Sequence, residues 1–90
     1  MIKFLKGEDK HVKFRVHSAK GEDMIVESAL YRFARYGDEE ASGKCEILND
    51  GQQTILDMKL YPREIGMYEL EITYIVADET LKHREEVQVI

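Results

Sequence analysis

Ninety residues suffice for one domain with a single core and leave no room for a separate catalytic domain, so residues 1–90 read as one unit. A net charge of −5 argues against general nucleic-acid binding, which needs a clustered positive surface. A single cysteine, Cys45, excludes an internal disulfide, and no stretch approaches the roughly 18 apolar residues of a membrane span.

Short alternating runs separated by turn residues follow one another, the pattern of sandwiches and small barrels. The segment Met1–Lys10 lacks the apolar run of a secretory leader, so the expected location is the cytoplasm, or a virion that carries the chain. Ile2–Phe4 predicts a short first strand, ended by the polar turn Gly7–Lys10. From His11 to Ser18 the alternation is clean: Val12, Phe14 and Val16 face in, while His11, Lys13, Arg15 and His17 face out. Ala19–Glu22 reads as a turn, Met24–Val26 as a brief strand and Ala29–Tyr36 as a longer one. Gly37–Glu40 reads as the next turn. Lys44–Ile47 is a strand leading to Asn49-Asp50-Gly51, a hairpin signal because Asn and Gly tolerate positive φ. Thr54–Leu60 alternates until Pro62 stops it. Tyr68, Leu70, Ile72 and Tyr74 form the longest inward row, and Asp78-Glu79 turns the chain into a last strand, Leu81–Ile90. Two stretches also carry helical features. Leu30, Phe33 and Ala34 fit a 3.6-residue face, and Asp78 could cap good helix formers over 79–86.

Glu64-Ile65-Gly66-Met67-Tyr68-Glu69-Leu70 is the most specific stretch. In immunoglobulin-like sandwiches a tyrosine near the start of a late strand bonds backbone a few residues upstream, forming a tyrosine corner. Gly66 supplies the tight turn before Tyr68. Leu70 stands where antibody domains place their second core cysteine. The expected fold is therefore all-β: an immunoglobulin-like antiparallel β-sandwich of about seven strands with no disulfide.

Ala29-x-Tyr31-x-Phe33, the acidic turn at Asp38-Glu39, Ser42-Gly43-Lys44, and Gly66-x-Tyr68 through Tyr74 with Val87-x-Val89 carry a family resemblance. Over residues 24–90 the chain resembles small standalone immunoglobulin-like proteins encoded among bacteriophage and prophage structural genes. The resemblance implies an accessory head or tail component, or an adhesion module, with no catalytic residues and no cofactor.

Candidate chemistry is sparse. Glu69 and Glu71 stand about 7 Å apart on one strand face, near the spacing glycoside hydrolysis needs. They read better as a cross-strand charge ladder with Arg84 and Arg32, with Glu71 placed opposite Glu86. His11 and His17 lie about 20 Å apart along one strand, too far to share a metal ion, and no close-spaced ligand pair exists for His83 or Cys45. Asn49-Asp50-Gly51 lacks the further carboxylates of a calcium loop. His17 and Ser18, as strand neighbours, point to opposite faces and form no nucleophile–base pair. The row His11-Lys13-Arg15-His17 could grip phosphate or an acidic partner, though charged edge strands commonly just block unwanted pairing. His83 and Glu85 fall on the inward parity, which a β-bulge near Arg84 would resolve.

The apolar anomaly points outward. If Tyr31 and Phe33 face in, Leu30 and Tyr36 face out beside Arg32, and the same parity exposes Met67 and Ile75 on the neighbouring strand. Leu30, Arg32, Tyr36, Met67 and Ile75 are the candidate partner interface, since contiguous apolar surface marks contact sites. The expected function is a non-enzymatic interaction protein whose partner is itself or a capsid or tail protein. The alternative is a carbohydrate- or protein-binding immunoglobulin-like adhesion module, in which Tyr36 and loop carboxylates would hold a carbohydrate.

Overall fold

The computed structural model describes residues 1–17, 24–51 and 53–90, so the turn expected at Ala19–Glu22 lies outside the described residues. Every regular element among them is a strand. In chain order these are β1 (Ile2–Phe4), β2 (Lys10–His17), β3 (Val26–Arg35), β4 (Asp38–Lys44), β5 (Glu46–Asp50), β6 (Gln53–Leu60), β7 (Gly66–Val76) and β8 (Glu79–Val89). Five build one sheet in the order β1-β8-β7-β3-β4, and three build the other, β2-β6-β5. All pairs are antiparallel except the three-residue pairing of β1 with β8. The chain is an immunoglobulin-like β-sandwich with no disulfide, and both ambiguous stretches are strand. Tertiary pairing outweighs their helix propensity.

Two-residue periodicity makes the core. Leu56, Met58 and Leu60 of β6 meet Tyr68, Leu70 and Ile72 of β7, with Phe33, Phe4, Val87 and Val89 around them, each 3% exposed or less. Burying a large side chain of this kind contributes about 1.5–3 kcal/mol each, an upper estimate because the unfolded chain already buries some surface. Phe33 and Tyr68 stack at 4.4 Å between ring centroids, 4° from parallel.

Several boundaries differ from the expected ones. Met24–Val26 and Ala29–Tyr36 are not separate strands; Val26–Arg35 is continuous, with a register shift between Val26 and Ser28. Gly37–Glu40 is not the turn. Tyr36 and Gly37 make it, at φ 52° and 82°, the pattern of a type I′ hairpin, and Asp38 already pairs with Arg35. The acidic run reads as a loop because β4 is an edge strand open to water. Lys44–Ile47 is broken at Cys45, where the chain leaves one sheet for the other and the Cys45 N–H bonds the Ala29 carbonyl at 2.9 Å. Positive φ after β5 falls on Gly51, while Asn49 stays in the strand. Its Oδ1 accepts from the Val26 N–H at 3.0 Å and the buried Thr54 hydroxyl at 2.8 Å, tying β3 to the β5–β6 hairpin.

No bulge relieves His83 and Glu85, since β7 and β8 pair in unbroken register. They face the open side of the sandwich, where the His83 ring lies 4.3 Å from that of Phe14, tilted by 30°, and bonds Glu85 at 3.1 Å. The same register places Arg84, not Glu86, opposite Glu71. The turn is Ala77-Asp78 rather than Asp78-Glu79, which moves every partner by two residues.

Candidate functional site on the outer face of the five-stranded sheet

Register fixes what this face carries. Around a central row of Ser42, Arg32, Glu71 and Arg84, one neighbouring row holds Lys44, Leu30, Thr73 and Lys82, and the other Glu39, Ala34, Glu69 and Glu86. Beyond the first lie Ser28, Ile75 and Thr80; beyond the second, Met67 and Gln88, with Tyr36 at the hairpin tip. All five candidate interface residues lie on this face, with Arg32 in the central row and the other four in two groups. Leu30 and Ile75 occupy one end and Tyr36 and Met67 the other, about 20 Å apart at the rise of an extended strand.

Between them runs the charge ladder. Arg84 Nε donates to Glu71 at 2.8 Å and lies 3.9 Å from Glu69; Lys82 reaches Glu71 at 3.7 Å, and Arg32 reaches Glu39 at 3.3 Å. The hydrogen bond from Arg84 holds the Glu71 carboxyl below its ordinary pKa, aided by the Lys82 charge. Glu69 and Glu71 are thus committed to Arg84 and, for Glu71, Lys82. Held low by Arg84, Glu71 is not the raised-pKa acid that glycosidase chemistry uses.

At the Tyr36 end the face sinks into a shallow groove of about 560 Å³. Ala34, 3% exposed although it lies on the outer face, forms its floor, and Tyr36, Met67, Glu69 and Glu86 stand around it. Tyr36 is 81% exposed. A non-glycine residue in the left-handed region costs about 1–2 kcal/mol, and little intrachain packing offsets it here. Arg35 lies 5.4 Å from the ring centroid and donates to the Ile65 carbonyl at 3.1 Å, linking the hairpin to the turn before β7.

That turn is the tyrosine corner. Gly66 adopts φ 128°, which side-chain-bearing residues rarely reach. The Tyr68 hydroxyl accepts from the Glu64 N–H at 3.2 Å and donates to Glu40 Oε1 at 3.2 Å, and Glu40 Oε1 also accepts from the Arg63 N–H at 3.3 Å. Burial raises the Tyr68 pKa, with the Glu40 charge adding to it. Glu40 was not legible as a site residue: it lies 28 positions upstream, and a bulge at the edge of the sheet brings it there.

Elsewhere, His11, Lys13, Arg15 and His17 project from β2 as an exposed row, with His11 bonded to Asp57 at 2.8 Å. Among the described residues no group of three His, Cys, Asp or Glu side chains is placed to hold a metal ion. No helix among them is long and apolar enough to cross a membrane. Burial pushes the Cys45 thiol up to about 11.

No family model matches the chain, and no curated protein does. It is similar to a crystal structure of an engineered protein, at a TM-score of 0.69 and 20% identity, over 99% of this chain and 18% of that one. The likeness shows the fold alone, and this chain spans under a fifth of that protein.

Proposed function

We propose that this chain is a non-enzymatic interaction protein that engages a protein partner through the outer face of its five-stranded sheet. One observation carries the reading. The β3–β4 hairpin holds a large aromatic, Tyr36, in left-handed backbone and leaves it 81% exposed beside Met67, where Asn or Gly would cost less. Strain at an exposed position points to a use for the side chain. The resemblance to phage-encoded immunoglobulin-like proteins supports an accessory head or tail component of a phage-like particle as the setting.

The test is co-sedimentation with particles from the native host. Tyr36→Gly, or Leu30→Glu combined with Ile75→Lys, abolishes incorporation while the chain stays folded; undiminished incorporation of both variants overturns the reading. A second reading rests on a depression of about 300 Å³ on the other side of Tyr36, lined by Arg35, Asp38, Glu39 and Glu64. A tyrosine flanked by carboxylates suits a carbohydrate. Silence on a glycan array, with unshifted amide signals on sugar titration, removes it.

A further inference from the structure

We propose that the partner of this face is a second copy of the chain, docked face to face with its strands running antiparallel. The inference rests on reading the outer face as a contact surface, and it follows from how the rows are arranged. Let a second copy be turned 180° about an axis lying across the strands, over the Arg32–Glu71–Arg84 row. Strand order is preserved and strand direction reversed, so each row meets the row equally far on the other side of the centre.

Four of the dissimilar pairs that result are complementary. Lys82 meets the partner copy's Glu86 and Lys44 meets its Glu39, because each pair stands one row either side of the centre on its own strand. Leu30, 49% exposed, comes over the groove floored by Ala34, and Ile75 comes over Met67. The two apolar ends are about 20 Å apart within one chain, and this pairing brings them together. Lys44 and Glu86 make no ion pair among the described residues, so both are available to a partner. The central row places like charges near one another, but there each arginine already has a carboxylate of its own, Glu39 for Arg32 and Glu71 for Arg84.

Size favours this face over the other. The molecule measures 40 × 20 × 18 Å, so a face spanning its two larger extents is of the order of the 800 Å² per partner that stable complexes bury. The three-stranded sheet is only about 14 Å wide at ordinary strand spacing. Packed sheets keep their strands within about 30° of one another, which the antiparallel arrangement allows.

Charge exchange tests the inference by sedimentation. The wild type is expected to sediment as a dimer. Lys82→Glu alone sets carboxylate against carboxylate across the axis, and Glu86→Lys alone sets ammonium against ammonium; each should weaken self-association at least roughly tenfold. Mixing the two single variants restores complementarity at both sites, so the mixture forms a one-to-one heterodimer, and the doubly exchanged chain self-associates again. A wild type that stays monomeric at every concentration overturns the inference, as do single variants that dimerise normally or a mixture that stays monomeric. If the chain is monomeric yet Leu30→Glu with Ile75→Lys still abolishes particle co-sedimentation, the contact face stands and only its occupant is wrong.

Discussion

Tyr68 and Tyr36 sit at the same end of the sandwich and border the same depression, yet they are held in opposite ways. Tyr68 is 3% exposed, stacked on Phe33, with its hydroxyl engaged on both sides by Glu64 and Glu40. Tyr36 is 81% exposed, on strained backbone, with one loose cation contact. One side chain is surrounded by partners that need it, and the other by water. The first belongs to stability, and contact is the role we propose for the second.

Removing the Tyr68 hydroxyl is the sharpest way to break that contrast. Tyr68→Phe keeps the ring on Phe33 but strips the Glu64 N–H of its acceptor and Glu40 of a donor, leaving that part-buried carboxylate short of partners. Urea unfolding should show a loss of about 1–3 kcal/mol. A loss near zero would mean that the corner is ornamental.

An alkaline titration probes the interior by another route. Burial raises the Cys45 pKa from 9.0 to about 11, with nearby Asp57 adding to it. The folded chain therefore keeps a proton that the unfolded chain gives up above 9.0. Stability from this group is complete below that value and declines as pH rises toward about 11. Tyr68, also raised by burial, acts in the same direction. Cys45→Ala should flatten the fall in urea midpoint between these pH values, and an unchanged slope would contradict the assignment.

Glycine substitution at the two strained turns gives the smallest effect and isolates Tyr36. Ala77, at φ 54°, begins the β7–β8 turn, and Ala77→Gly should stabilise by about 0.5–1 kcal/mol because the left-handed penalty disappears. Tyr36→Gly gains less, since it also forfeits the Arg35 contact, worth about 0.5 kcal/mol at an exposed site. Thermal midpoints should rise at least slightly in both. A marked fall for Tyr36→Gly would make Tyr36 a structural residue like Tyr68.

The interior was legible because burial imposes a two-residue period that Leu56, Met58, Leu70 and Ile72 all keep, and because Gly66 and Tyr68 form a local motif. Edges were harder to read. Asp38–Glu40 looks like a turn because an edge strand with one wet face needs few apolar residues, and tyrosine rarely occupies left-handed backbone, so the sequence points to a hairpin one residue beyond the Tyr36-Gly37 turn. A single-position shift in the Ala77-Asp78 turn displaced the ladder, putting Arg84 rather than Glu86 beside Glu71. Which outward residues sit side by side depends on such registers. The same uncertainty made Leu30, Ile75, Tyr36 and Met67 read as one patch instead of two ends of a face.

Methyl resonances followed through a dilution series test the proposed face-to-face pairing most directly. Signals from Leu30, Met67 and Ile75 should move together with protein concentration, while those of Leu48 and Ile55, on the outer side of the three-stranded sheet, stay fixed. Movement of Leu48 and Ile55 instead, or of no methyl group at all, would contradict a dimer built on this face.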